Sequence, residues 1–370
     1  MSKNKDKKRR IAILTGGGDC PGINAVIRAV TKKAILEHDM EVIGIKDGYE
    51  GLIHNQYRTL NYDDVSGILT LGGTILGTSN KANPFNYAVR KGDELTYEDR
   101  SRDVLKNIEA LNIECLVCIG GDGTLWISNS FSQLGVPVVG VPKTIDNDVQ
   151  GTDFSFGFNS AVSVATEGID RIHTTAESHH RIMMIEVMGR KAGWIALYSG
   201  IAGGGDIILI PEIPYNIDNI IRCINNRRAK GRYFSIIVVA EGAKPVGGEV
   251  VVQKIVDDSA VKVRLGGISF ILGEQLEKKI ELETRAVVLG HLQRGGTPTP
   301  FDRVLATRLG SKAVDLIEEK DFGKMVSVRG DHLEDYPLEK VAIGPRVIPT
   351  EPAEHGLIKA AREIGVCFGD

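Results

Sequence analysis

The chain has 370 residues, 42% hydrophobic and 25% charged, with 43 glycines and a formal net charge of −3. That length suits a large core divided between two domains or lobes. The near-neutral balance gives no basis for nucleic-acid or membrane binding, no apolar run approaches the ~20 residues that span a bilayer, and five cysteines suggest no disulfide framework. Lys3 to Arg10 is a basic run that reads as a solvated tail. It is not followed by a signal-peptide stretch, because Ile11 to Thr15 runs straight into glycine and aspartate. Cys115 and Cys118 form a C-x-x-C inside an apolar strand pattern, which reads as a buried structural pair. A reducing, cytoplasmic setting fits.

Ile11 to Leu14 reads as a short buried strand, followed by the turn Thr15-Gly16-Gly17-Gly18-Asp19-Cys20-Pro21-Gly22. Helical spacing runs from Asn24 to Leu36, and Glu41 to Ile45 is a second strand. Strand, glycine turn, helix, strand is the order of a doubly wound α/β sheet. The turn lacks the Gly-Lys-Ser/Thr ending of a P-loop and does not match the dinucleotide fingerprint. Further on, helices are expected at Leu105–Leu111, Asn159–Ala176, Ile217–Lys230, Ile271–Lys279, Asp302–Glu318 and Ala353–Ile364. Strands are expected at Arg181–Val187, Asp206–Ile210, Ser235–Ala240 and Thr284–Leu289. Pro245–Val263 fits a strand or hairpin excursion, and Asp331–Pro352 reads as extended. The alternation of strands and helices points to parallel sheets with right-handed crossovers.

The informative stretch is Cys118 to Asp148. An apolar run, Leu116 to Ile119, stops at Gly120-Gly121-Asp122-Gly123-Thr124, and helix-compatible sequence follows. A glycine turn leading into a helix N-terminus offers free N–H groups and a favourable dipole to a phosphate. A carboxylate there, Asp122, needs a cation between it and the phosphate, and Mg²⁺ is the natural candidate. A second run, Val136 to Val141, ends in Pro142-Lys143-Thr144-Ile145-Asp146-Asn147-Asp148. Two strand ends thus supply three carboxylates, a lysine and a phosphate cradle, which is equipment for phosphoryl transfer.

The blocks Leu14–Gly22, Gly72–Gly77, Gly120–Thr124, Pro142–Asp148, Gly151–Asp153, Glu186–Arg190 and Gly290–Gly296, in this order, resemble the phosphofructokinase superfamily of the bacterial type. NAD kinases and diacylglycerol kinases share Gly-Gly-Asp-Gly-Thr but not the Pro-Lys-Thr-Ile-Asp-Asn-Asp, Met-Gly-Arg and His-Leu-Gln-Arg-Gly-Gly blocks. The resemblance implies two Rossmann-like lobes with mostly parallel sheets and an active site in the cleft between them. The expected division is a basic tail over 1–10, a donor lobe over 11–150, a fructose 6-phosphate lobe over 151–324, and a 325–370 segment packing back on the lobes. The implied reaction phosphorylates the 1-hydroxyl of fructose 6-phosphate with ATP and Mg²⁺.

The same resemblance assigns roles by position. Asp146 matches the general base, with Thr144 at the same end of the sugar and Arg190 neutralising charge in the transition state. Asp122 matches the metal carboxylate, with Asp148 as an outer-shell partner. Gly18, Gly121, Gly123 and Thr124 match the donor-phosphate cradle. Arg181, Arg285, His291 and Arg294 match the sugar-phosphate clamp, with Met188, Gly189 and Glu241 at the sugar. Positions such as Arg181 and Arg285 serve a neighbouring subunit in the family, so a homo-oligomer, tetramer or dimer, is expected.

The donor signature is mixed. Gly123 is of the ATP type, while Lys143 is of the pyrophosphate type, since an aspartate at position 123 would occupy and repel the α-phosphate. Without that side chain there is room for ATP, with Lys143 assisting its outer phosphates. Asn80 stands where an arginine is expected, with Lys81 beside it; Lys46 replaces a tyrosine and Ile127 a glycine. The alternatives are a pyrophosphate-dependent enzyme or a kinase acting on sedoheptulose 7-phosphate. A catalytically silent subunit is opposed by the presence of Asp122, Asp146 and the clamp arginines. At a family effector site Arg28, Lys32, Lys230 and Arg232 keep cations, but Gln56 and His173 replace arginines, so an altered effector response is expected.

Overall fold

In the computed structural model, residues 8–92, 94–255, 263–351 and 354–370 are described. Expectations touching Lys3–Lys7, the middle of Pro245–Val263 and Ala353 lie in part outside them. The Arg10–Thr15 strand occupies the middle of an eight-stranded sheet. To one side lie Glu41–Ile45 and Tyr57–Leu60. To the other lie Cys115–Gly120, Val138–Thr144, Lys324–Arg329 and His332–Pro337, with the short Phe156–Gly157 strand also paired to Val138–Thr144. All pairings are parallel except those of the two outermost strands. The Cys115–Gly120 and Val138–Thr144 strands are buried along their whole length, as near-continuous apolar runs covered on both faces should be. From the central strand the chain first winds one way and later the other. This reversal opens a crevice at the carboxyl ends of Arg10–Thr15 and Cys115–Gly120.

The second sheet has the order Ile207–Leu209, Ser235–Ala240, Ile182–Val187, Thr284–Val288, and every pairing is parallel. The expected α/β class with mostly parallel sheets is borne out. Three passages join the two sheets. The Phe158–His179 helix carries the chain out of the first sheet and packs against the Ile182–Val187 strand of the second. The Pro300–Glu318 helix brings it back, packed along Ile23–His38. After the short Leu338–Val341 helix the chain crosses once more, and the Gly356–Glu363 helix packs on Trp194–Ala202.

Several expectations are adjusted. Residue 324, the expected lobe boundary, is the first residue of a strand in the first sheet. The supposedly extended 331–352 tail contains the His332–Pro337 strand and the Leu338–Val341 helix. A hairpin of Tyr87–Lys91 and Glu94–Glu98 was not foreseen. The cysteine reading is corrected: Cys223 and Cys367, 144 residues apart in sequence, are disulfide-bonded. Cys367 reaches Cys223 because its backbone lies alongside Ile207 at the edge of the second sheet. Cys115 and Cys118 are buried and free, as expected, and burial pushes the Cys118 thiol up to about 11.

Candidate active site

The phosphate-cradle candidates converge at the switch point of the first sheet. Gly16 N–H donates to the Ile119 carbonyl at 3.0 Å, which ties the first glycine turn to the end of the neighbouring strand. Gly17 takes a φ of 78°, a left-handed conformation that glycine adopts without steric cost, and its N–H donates to Ser79 O at 3.0 Å. That bond brings the Ser79–Ala82 loop, with Lys81, to the rim of the turn. The Asp122–Gln133 helix begins at the second turn, so its first N–H groups point out of the carboxyl edge. Thr124 is buried with its side chain against Gly16 and Gly120, where an added Cβ would collide with it. Around Gly123, by contrast, a Cβ would meet nothing within 4 Å, so packing in the free protein does not demand glycine there.

Lys143 comes up from beneath. Its side chain is buried and its ammonium donates to the Gly18 carbonyl, with burial holding its pKa below the usual lysine range. The next loop is a tight turn held by hydrogen bonds involving Asp146, Asn147 and Ser155. Asp146 N–H donates to Thr144 Oγ1 at 3.0 Å, and Ser155 Oγ donates to Thr144 O at 2.8 Å. Asn147, at φ 52°, accepts from Ser155 N–H at 2.9 Å. Within this frame Asp146 is buried, and its Oδ1 has no hydrogen-bond partner among the described residues. Such an oxygen costs free energy unless a ligand or solvent satisfies it. Burial raises the Asp146 pKa; Arg294, Arg190 and Lys143 oppose the rise and Asp122 adds to it. Asp148 is pushed up to about 7 by burial and by its neighbours Asp146 and Asp122.

The second sheet presents its own carboxyl edge to this loop. Met188, Gly189 and Arg190 follow the Ile182–Val187 strand, Glu241 follows Ser235–Ala240, and His291 and Arg294 lie in the 3₁₀ turn after Thr284–Val288. Glu241 Oε1 accepts the Arg190 N–H at 3.0 Å and thereby holds Arg190 at a φ of 52°, which non-glycine residues seldom adopt. Glu241 is pushed up to about 7, first by burial and then by Asp146 across the cleft. Arg294 also crosses, donating from Nη1 to Asp19 O at 3.0 Å, and it lies against Gly18. Gln293, wholly buried, accepts the Met188 N–H at 2.8 Å while its own Nε2 lacks a partner among the described residues.

Arg181 and Arg285 are not brought to this point within the chain. They stand at the opposite, amino ends of the Ile182–Val187 and Thr284–Val288 strands, where both donate to the carboxylate of Glu283. Sequence reasoning gave Gln293 no role, although it lies inside a recognised block. It missed Arg346 altogether, whose N–H donates to Asp148 O at 2.7 Å and whose Nη1 donates to Asp153 O at 2.8 Å. Nothing around Arg346 in the sequence marks it, because its partners lie about two hundred residues earlier.

The carboxylates near the cradle suit a hard cation. Asp122, Asp146 and Asp148 are electrostatically linked, and oxygen-only donors favour Mg²⁺ over softer metals. Among the described residues no cluster of three or more His, Cys, Asp or Glu forms a closed metal cage. Among the described residues no helix is long and apolar enough to cross a membrane.

A two-sheet α/β molecule with a glycine cradle, a buried carboxylate and facing arginines is of the phosphoryl-transfer class. The family model described as Phosphofructokinase matches residues 10–317. The chain is 54% identical over 364 residues to ATP-dependent 6-phosphofructokinase 2 of Clostridium perfringens, covering 98% of this chain and 99% of that one. It is 48% identical to a pyrophosphate–fructose 6-phosphate 1-phosphotransferase of Amycolatopsis mediterranei, covering 92% and 97%. Among solved structures, T-state phosphofructokinase of Pichia pastoris matches with a TM-score of 0.78 and 32% identity over 92% of this chain, which spans 36% of that larger protein. The chain belongs to the phosphofructokinase family.

Proposed function

We propose that the protein is an ATP-dependent 6-phosphofructokinase, transferring the terminal phosphoryl group of ATP to the 1-hydroxyl of fructose 6-phosphate. The observation that carries the reading is Asp146: a buried carboxylate with one unpartnered oxygen, set where the carboxyl edges of the two sheets meet. That oxygen is the acceptor for the hydroxyl proton as the phosphoryl group moves. Thr144 fixes the Asp146 backbone and lies at the same end of the sugar. Gly18, Gly121, Gly123 and Thr124 hold the donor phosphates, with Lys143 below and Lys81 at the rim. Arg190 faces the transferring group, and Met188, Gly189, Glu241, His291 and Arg294 receive the sugar phosphate. Asp122, assisted by Asp148, holds Mg²⁺, which when bound neutralises charge on the donor phosphates.

ATP is favoured because the open space at Gly123 leaves room for an α-phosphate and because a relative of that name is 54% identical over nearly the whole chain. Pyrophosphate remains the second reading, on the buried ammonium of Lys143 inside the cradle. Steady-state rates with ATP and with pyrophosphate decide between them; turnover with pyrophosphate alone overturns the ATP reading. Arg181 and Arg285, lying away from Asp146, serve the site of a neighbouring subunit in a homo-oligomer.

A further inference from the structure

The third passage between the sheets borders a cavity of about 340 Å³, remote from the glycine cradle in sequence. It is lined by Arg329, Arg346, His355, Gln150, Tyr336 and Trp194. No carboxylate occurs among its described lining residues. The volume corresponds to roughly ten waters, enough for a small metabolite.

The cations are placed to be used. Arg346 lies with its guanidinium 4.4 Å from the Trp194 ring centroid, and the indole N–H donates back to Arg346 O at 3.2 Å. Only its Nη1 is engaged, by Asp153 O and Asn147 O; Nε and Nη2 have no acceptor among the described residues. Burial disfavours its charge, a cost that an anion would relieve. Arg329 is half-exposed, and its nearest carboxylates are loose: Asp153 at 3.5 Å and Glu334 at 4.0 Å. Planar guanidinium groups with spare donors are suited to phosphate oxygens.

The same arginine touches the catalytic loop. Arg346 N–H donates to Asp148 O at 2.7 Å, and its Nη1 reaches the Asn147 carbonyl at 3.4 Å. We propose that this cavity binds a small phosphate-bearing organic anion, and that its occupant alters turnover by shifting Arg346 and with it the 146–148 loop. The binding stands apart from the proposed reaction; the effect on turnover rests on it.

The test uses the full chain with its cleft filled by fructose 6-phosphate, Mg²⁺ and a non-hydrolysable ATP analogue. Glycerol 3-phosphate and inorganic phosphate are then titrated by calorimetry into the wild type, Arg329→Ala and His355→Gln. Binding to the wild type, weakened about ten-fold or more in Arg329→Ala, is the expected result. Separately, kcat and KM of Arg329→Ala without added probe should equal those of the wild type, while glycerol 3-phosphate changes kcat only in the wild type. No heat with the wild type, or equal affinity in all three proteins, overturns the site. Binding without any change in kcat overturns its link to catalysis. Because calorimetry needs no turnover, a wrong assignment of the reaction leaves the binding result intact.

Discussion

Asp146 draws on both sheets: Lys143 comes from its own strand, Arg190 and Arg294 from the facing edge, and Asp122 from the cradle. Replacing it with asparagine keeps the shape and removes the base, so kcat should fall by about 10²–10⁴-fold with fructose 6-phosphate binding retained. Rapid-quench turnover and equilibrium binding, measured together, check this; unchanged turnover refutes the base assignment. The pH dependence follows from the raised carboxylates. Asp148 and Glu241 lie near 7 in the free protein and Asp146 is also raised, so lowering the pH protonates the group that must accept a proton. The kcat/KM profile should therefore lose activity on its acid side, with an inflection above the ordinary carboxylate range that belongs to the coupled set rather than to one residue. The linkage to stability runs the other way. Their folded pKa values lie above the unfolded ones, so the native state holds extra protons between about pH 4 and 7 and loses stability as pH rises through that window. Asp148→Asn should melt higher than wild type at pH 8 and show little difference at pH 4, by calorimetric scans of the ligand-free protein.

At Gly123 the sequence and the structure agree for different reasons. The motif marked it as a donor selector, and the empty space beside it shows that the fold makes no demand of its own. Gly123→Asp should therefore leave urea-induced unfolding within about 0.5 kcal/mol of wild type. It should reduce kcat/KM for ATP on the order of 100-fold, since roughly 3 kcal/mol of repulsion is expected between a carboxylate and a nearby phosphate. Equal ATP kinetics in the variant would remove the selector role.

Among elements, those that the sequence disclosed are the ones whose own residues carry the signal. The apolar runs ending in glycine became buried parallel strands, and the helix read from Asp302 begins two residues earlier, at Pro300, with Thr299 accepting from Asp302 N–H at 3.4 Å. The Tyr87–Glu98 hairpin escaped notice because none of its described residues is buried and it is rich in charge, with Arg90, Glu94 and Glu98 breaking any apolar alternation. Also invisible was the cap that one passage supplies to another. Asp302, wholly buried at the start of the Pro300–Glu318 helix, accepts from Ser160 N–H at 2.7 Å and Ser160 Oγ at 2.6 Å, in the first turn of Phe158–His179. No local pattern announces a cap 142 residues away. Asp302→Ala should cost about 1–3 kcal/mol in urea denaturation, because it strands buried donors; a loss below 0.5 kcal/mol, within the range of ordinary surface changes, counts against the cap.

For the whole molecule, composition and alternation were enough for the class, and the resemblance supplied the two lobes. Neither disclosed that residues 324–337 rejoin the first sheet, because strand order depends on pairings across the full chain. The amino-end position of Arg181 and Arg285 gives the assembly a direct check. Arg285→Ala lacks part of the proposed clamp and Asp146→Asn lacks the proposed base, so each alone should be nearly inactive. Mixed oligomers should recover activity if one subunit's arginine completes another's site. No recovery on mixing assigns each site to a single chain.

The stitching of the first two passages has a mechanical consequence. Thr299 N–H donates to Ser160 Oγ at 3.0 Å and Thr299 Oγ1 to Asn159 Oδ1 at 2.8 Å, so the outgoing and returning chains are pinned side by side. Two hydrogen bonds between the crossing chains oppose their sliding past each other. The third passage is anchored separately, by Arg346 to the Asp148 carbonyl on one side and by Ile348 N–H to Glu212 at 3.0 Å on the other. It therefore ties the two lobes together at a second point, independent of the stitched pair.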